Sequence, residues 1–458
     1  MEWDDVLYVS FLLFSILFGH VIRTIRSRER KKYIATLVGL LVVYAVSGVH
    51  ILHPLLSTLV STMIITRGNN RSSHLINLAF LFGYLLFFRN TIYFGIPYPP
   101  PHANLVQMIL TLKLSGLAFE KNDSESKNVS EKSSDKLELQ QQEEINYDGL
   151  EIFHYAFCYV GVLTGPYYRY RTYRDWLQCP FAEFAPCIQA TIQKLKYVPL
   201  YAGLFLLASY LYPIQYMESE EFYKERSVLY RIWYLTPTFF IFRMRLYTGM
   251  VLSECVCTMA GFGAYPASAE SRRGHGPTKT YTYVCVNSGN GKRESYDFET
   301  IHNVDPFLSD FVPTTRAAMK HWNSCVQYWL AVYVYKRLPF KKLRTLITMA
   351  VSAYWHGVHA GYYLCMCTVP FYLPVEDLYV QLFRKDAKGN EAKVWDIILW
   401  FFKMQEFGYM TTAFLLLRLD KTLHYWKSIY FIGHLIAAVL YLVGISIEYC
   451  VHKKKKVH

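Results

Sequence analysis

The ten cysteines of this chain supply neither a zinc nor a redox spacing: Cys255/Cys257 and Cys365/Cys367 are separated by one residue, and the rest are scattered, mostly within apolar segments. A disulfide framework and a metal site are therefore not expected. No small-residue cleavage site follows the first apolar run, residues 6–22, and the acidic Glu2, Asp4 and Asp5 precede it. The run reads as a retained membrane span rather than a removable leader. Charged residues are scarce, at 18%, and no internal repeat is detectable. The paired inverted repeats and series of intramembrane carboxylates found in many transporters are also missing, which makes a transporter the weaker alternative.

What the sequence has instead is 53% apolar and 17% aromatic residues. The apolar residues fall in long runs, clearest at 6–22, 75–96, 195–212, 395–417 and 429–447. Spanning a bilayer takes about 20 such residues, so a water-soluble fold is excluded. The expected architecture is an all-α polytopic transmembrane bundle of about 9 to 11 spans. A net charge of +13 invites a nucleic-acid reading, but the positive residues cluster beside apolar runs, as in Arg23, Arg26, Arg28, Arg30, Lys31 and Lys32 and in the tail Lys453, Lys454, Lys455 and Lys456. Such placement sets topology and favours anionic lipid, so no nucleic-acid partner is expected.

Two polar stretches divide the chain. Residues 120–148 are rich in Ser, Glu, Lys and Gln and nearly free of aromatics, which predicts an acidic flexible loop; its sequons at Asn122 and Asn128 matter only if it is lumenal. Residues 263–310 form a second polar loop in which alternation from Thr280, followed by turn residues from Asn287, predicts a small hairpin. The resulting organisation is N-terminal transmembrane helices at 1–119, the acidic loop at 120–148, central transmembrane and interfacial helices at 149–262, the polar loop at 263–310, catalytic transmembrane helices at 311–449 and a basic cytosolic tail at 450–458. Lysines at the third and fourth positions from the C-terminus resemble the dilysine retrieval signal of endoplasmic-reticulum membrane proteins. Localisation in that membrane with a cytosolic C-terminus is the expectation.

Ionisable side chains inside apolar runs are costly, so each marks a candidate site. The foremost lies in Ser352-Ala-Tyr-Trp-His-Gly-Val-His-Ala-Gly-Tyr-Tyr-Leu364, where His356 and His359 sit amid an apolar stretch from about residue 346 to 375. A neutral imidazole there can accept a hydroxyl proton. On the residues alone, hydrogen bonds to neighbouring helices explain both histidines equally well, and metal binding by the pair lacks a third ligand. Upstream, Asn323 is the central polar residue of Met319-Lys-His-Trp-Asn-Ser-Cys-Val-Gln-Tyr-Trp-Leu330. An amide can hold an acceptor hydroxyl or a thioester carbonyl without titrating, although a helix-to-helix hydrogen bond is its more frequent use.

At these two segments the chain resembles the membrane-bound O-acyltransferase family, whose lysophospholipid branch carries a similar Trp-His-Gly-x-x-x-Gly-Tyr signature preceded by an asparagine. Gly161-Val-Leu-Thr-Gly-Pro-Tyr-Tyr-Arg-Tyr-Arg-Thr-Tyr-Arg-Asp-Trp176, the stretch Tyr296 to Asp305, and Trp395-Asp396 with Phe401-Phe-Lys-Met404 look like further counterparts. The nearest branch is the lysophosphatidylinositol acyltransferases. Two departures stand out: Ala360 replaces a usual proline, and residues 273–295 look like an insertion.

The resemblance implies an enzyme that moves an acyl chain from acyl-coenzyme A to the free sn-2 hydroxyl of a lysophospholipid during phospholipid remodelling. Lysophosphatidylinositol and a polyunsaturated, arachidonoyl-type chain are the implied substrates. His356 would be the base and Asn323 its partner, with His359 secondary. Acyl-coenzyme A is a co-substrate and no cofactor is implied. Arg169 and Arg171, interleaved with Tyr168, Tyr170 and Tyr173, are candidates for the headgroup phosphate; an aromatic and basic membrane-interface belt explains them at least as well. A protein O-acyltransferase of the same family is the nearer enzymatic alternative.

Overall fold

The computed structural model of the chain describes residues 3–68, 72–130, 148–179, 181–279, 281 and 295–457. Among the described residues it is all-α apart from one antiparallel pair, β1 (Tyr265–Pro266) with β2 (Tyr296–Asp297), at the base of the polar segment, and an isolated bridge between Arg272 and Gly276. The expected hairpin from Thr280 through Asn287 lies outside the described residues except for Tyr281. The chain divides into two compact units.

The first unit comprises Met1–Tyr197, Gly249–Asn303 and Ser324–Tyr333. Its helices are α1 (Trp3–Thr24), α2 (Arg28–Ser47), α3 (Leu52–Arg67), α4 (Ser73–Arg89), α5 (Pro101–Ser130), α6 (Gly149–Ala156), α7 (Tyr170–Gln178), α8 (Phe181–Phe184) and α9 (Cys187–Leu195). The second comprises Val198–Thr248, Val304–Asn323 and Val334–His458. It begins with α10 (Val198–Leu211), α11 (Glu220–Lys224) and α12 (Val228–Trp233), and α13 (Leu235–Met259) starts in it. It continues with α14 (Pro306–Phe311) and α15 (Thr315–Met319); α16 (Ser324–Trp329) returns to the first unit. The second unit then closes with α17 (Arg344–His356), α18 (Ala360–Tyr379), α19 (Gly389–Leu416), α20 (Leu419–Ser428) and α21 (Ile432–Val457).

The runs 6–22, 195–212, 395–417 and 429–447 are carried for most of their length by α1, α10, α19 and α21, whereas the run 75–96 is α-helical only as far as Arg89, where α4 ends. Among the described residues, four helical stretches are long and apolar enough to cross a membrane: Asp5–Thr24, Arg28–Arg67, Cys187–Glu218 and Ile432–Val451. Outward-facing side chains such as Leu17, Leu37 and Leu41 are exposed, as lipid-facing positions require. The chain is a multi-pass membrane protein. Arg28–Arg67 is bent rather than straight. Its first arm starts at the Ser27 cap and stops at Gly48, whose left-handed φ of 55° suits a residue without Cβ. The short α6 then touches both arms: Glu151 and His154 bond Lys32 and Thr36 of α2, and Gly149 lies against Thr62 of α3.

Helix α5 runs on through residues 120–130, which the sequence assigns to the flexible loop. Glu and Lys are good helix formers, and Lys121 donates to the Ile65 carbonyl at 2.6 Å while pairing with Glu125 one turn on. The rest of that loop, 131–147, lies outside the described residues.

Three helices end without a glycine cap and instead meet a buried lysine. Lys31 donates to the Trp176 carbonyl at 2.9 Å, in the last turn of α7, and Lys113 donates to the Tyr155 and Ala156 carbonyls at 2.6 and 3.3 Å, where α6 ends. Lys403 reaches the Ser309, Asp310 and Val312 carbonyls at 3.3, 2.7 and 2.8 Å, at the end of α14. An ammonium at the negative end of a helix satisfies carbonyls that would otherwise be orphaned. Lys31 and Lys32, read from the sequence as topogenic charges, are thus also buried and partnered.

Candidate active site

The histidine motif forms a break between two helices. His356 is the last residue of α17 and His359 is the N-cap residue of α18, so the two do not share one helix face. Of the pair, His356 is half-buried and His359 exposed.

Packing explains the glycines of the motif. A Cβ on Gly357 would stand 2.2 Å from the Tyr362 ring, so the turn after His356 closes only without a side chain. A Cβ on Gly361 would lie 2.1 Å from the Ala413 carbonyl oxygen, and its N–H donates to the Leu417 carbonyl at 2.7 Å. The start of α18 is therefore held directly on the backbone at the end of α19. Three aromatic rings surround the imidazole. Trp355 lies at 4.9 Å, Phe414 at 5.2 Å with an interplanar angle of 79°, and Tyr362 at 6.1 Å.

Ala360, where the resemblance leads one to expect proline, is the first residue of α18. That position tolerates proline because its N–H has no partner within the helix, and His359 before it already has the extended backbone (φ −69°, ψ 138°) that a following proline imposes. Ala360→Pro is expected to leave the stability of the solubilised protein unchanged or to raise it by about 0.4–1 kcal/mol, read from the thermal midpoint. Gly361→Ala should cost about 1–3 kcal/mol by overpacking. Equal midpoints for the two variants would contradict this geometry.

Asn323 occupies a left-handed backbone conformation, φ 48°, immediately before α16. Asparagine is among the few residues other than glycine that adopt it readily. Its neighbour Trp322 packs on Phe242 at 6.1 Å and on Tyr247 at 5.6 Å. Phe242 packs in turn on Phe414 at 5.4 Å, and Phe414 is the ring facing His356. The asparagine segment and the histidine turn are thus joined, within the second unit, by a continuous aromatic path.

Sequence reasoning overlooked the groups that hold the asparagine segment. Asp310 accepts from Arg243 and Tyr247, each at 2.6 Å, while its carbonyl accepts from Trp400 and Lys403, each at 2.7 Å. Glu376 accepts from the backbone N–H groups of Thr315 and Arg316, at the start of α15. Arg316 pairs with Asp377 at 2.6 Å, and Glu406 accepts from the Thr315 hydroxyl at 3.1 Å. Lys403, within Phe401-Phe-Lys-Met404, is the one member that the motif comparison could have flagged.

Arg169 and Arg171 belong to the first unit, and each has a carboxylate beside it. Arg169 lies 3.4 Å from buried Glu120, which also accepts from Tyr333 at 3.2 Å. His275, which burial and the neighbouring Arg169 charge hold below the ordinary imidazole value, stands 3.4 Å from the same guanidinium. Arg171 lies 3.6 Å from Asp175 and 3.4 Å from the Tyr281 hydroxyl. The interleaved Tyr168, Tyr170 and Tyr173 are buried, so they do not form an interface belt. Tyr168 instead donates to the Val160 carbonyl at 2.6 Å and packs on Tyr155.

The profile of the membrane-bound O-acyltransferase family matches residues 50–417, a range that includes Asn323 and His356. A Drosophila melanogaster protein named membrane-bound acylglycerophosphatidylinositol O-acyltransferase is 44% identical, over 97% of this chain and 92% of its own length. A human protein with that name is 38% identical, over 97% and 94%. One from Caenorhabditis elegans is 28% identical, over 98% and 96%.

Proposed function

The chain belongs to the membrane-bound O-acyltransferase family, and from that premise we propose that it acylates the sn-2 hydroxyl of lysophosphatidylinositol with acyl-coenzyme A as donor. The observation that carries this reading is the near full-length likeness to relatives named for that acceptor, together with a histidine turn and an asparagine segment joined in one aromatic-lined unit. A polyunsaturated, arachidonoyl-type donor and a place in phospholipid remodelling complete the proposal. Residence in the endoplasmic reticulum with a cytosolic C-terminus is supported by the terminal lysines.

In the proposed mechanism His356 takes the proton of the sn-2 hydroxyl as the oxygen attacks the thioester carbonyl carbon. Asn323 donates to the oxygen on which negative charge develops. The carbon–sulfur bond then breaks, and the departing coenzyme A thiolate takes the proton from the imidazolium, leaving a new ester and a free thiol. The rings of Trp355, Tyr362 and Phe414 limit access of water, which would otherwise hydrolyse the thioester. Arg169 and Arg171 are assigned to the lysolipid phosphate.

Release of free thiol by the purified protein tests this reading. Thiol should appear when lysophosphatidylinositol is added to acyl-coenzyme A, and not when a hydroxyl-bearing peptide replaces the lipid. Glutamine at Arg169 or Arg171 should raise the KM for lysolipid more than that for acyl-coenzyme A. Thiol release that depends on the peptide, or occurs without any acceptor, would refute the acceptor assignment.

A further inference from the structure

Lys403 sits within an apolar helix, is 1% exposed, and takes no part in the acyl-transfer step. Its ammonium gathers the carbonyls of Ser309, Asp310 and Val312, the last turn of α14 and the residue that follows. These residues lie within the segment 305–323 that ends at Asn323. The Asp310 carboxylate extends the contact to α13 through Arg243 and Tyr247. The Tyr247 ring lies against Trp322, the residue before Asn323. From the other side, the Asp305 N–H donates to the His321 carbonyl at 2.9 Å and closes the segment on itself. An uninterrupted path therefore leads from the Lys403 ammonium through Asp310, Tyr247 and Trp322 to Asn323.

Resting on the acyltransferase reading above, we propose that Lys403 is a positioning residue: it braces the 305–323 segment on α19 and so sets where the Asn323 amide stands during acyl transfer. The three carbonyl contacts cap the C-terminal end of α14 and reach Val312 beyond it, while the Asp305 side chain caps the other end. The same contacts fix the segment in place. Misplacing a reacting group by about 1 Å can cost on the order of a hundredfold in rate. Such a loss falls on kcat, because the base His356 and the arginines assigned to the lysolipid are untouched.

The test is Lys403→Met beside Lys403→Arg, read by steady-state kinetics and by hydrogen exchange of the backbone amides. The methionine variant should lose about 10- to 100-fold in kcat with both KM values nearly constant, and exchange should quicken within 305–323. Arginine, which also donates to carbonyls, should recover most of the loss. In an Asn323→Gly background Lys403→Met should add little, because the group it positions is already gone. Tyr247→Phe removes the bond to Asp310 but keeps the ring on Trp322; it should show a smaller kcat loss with the same non-additivity, and it decides the matter if Lys403→Met does not fold. Normal kcat and unchanged exchange in these variants, or full additivity with Asn323→Gly, would overturn the bracing role. An unsubstituted protein without lysolipid-dependent turnover would instead fail the acyltransferase reading, while the exchange data would still report on the brace.

Discussion

Replacing His356 by alanine should lower lysolipid acylation by about 10²- to 10⁴-fold, the range spanned by loss of a general base, while the protein still inserts and folds. The imidazole ends α17 between Trp355, Tyr362 and Phe414, so alanine also removes aromatic contacts worth about 0.5–1.5 kcal/mol each. His356→Phe separates the two effects, because it retains a ring against Phe414 but has no nitrogen to accept a proton. Both variants should be nearly inactive, and the phenylalanine variant should melt closer to the unsubstituted protein. His359→Ala should be milder, since that side chain is exposed and caps no backbone N–H. A folded His356→Phe protein with near-normal turnover would remove the imidazole from the mechanism.

The second large effect is expected at Asn323, where its backbone conformation complicates the usual alanine test. At φ 48° alanine adds steric strain of about 1–2 kcal/mol, whatever the amide does. Glycine accepts that conformation freely, so Asn323→Gly removes the amide alone. It should lower kcat by about 10²- to 10³-fold, the loss seen when a donor to a developing oxyanion is deleted. Asn323→Asp, which tolerates the left-handed region but cannot donate, should be similarly impaired. If Asn323→Gly instead turns over normally, the asparagine serves only its backbone conformation, and His356 acts without it.

The helices were legible because about 20 consecutive apolar residues have few alternatives in a membrane. Runs 6–22, 195–212 and 429–447 accordingly reappear as α1, α10 and α21. The candidates His356 and His359 stood out for a related reason: a histidine in an apolar stretch is conspicuous. The break between His356 and His359 was harder to see, since Gly357 and Gly361 also fit a close helix crossing; the steric demands of Tyr362 and the Ala413 carbonyl become visible only in three dimensions. The carbonyl partners of the buried lysines were out of view for the same reason. The carbonyls that Lys31, Lys113 and Lys403 meet lie 145, 42 and 93 residues away for the pairs with Trp176, Tyr155 and Asp310, beyond any local pattern. The extension of α5 past residue 120 followed from ordinary helix propensity, which the polar composition of that stretch obscured.

The most direct measurement of the central claim is a competition assay resolved by mass spectrometry. Purified protein in lipid receives one polyunsaturated acyl-coenzyme A and an equimolar mixture of lysophospholipids bearing inositol, choline, ethanolamine and serine headgroups. Product should accumulate chiefly as phosphatidylinositol carrying the new chain at the sn-2 position, and should vanish with His356→Phe. Equal acylation of all four headgroups, or product formation that survives loss of the imidazole, would contradict the account.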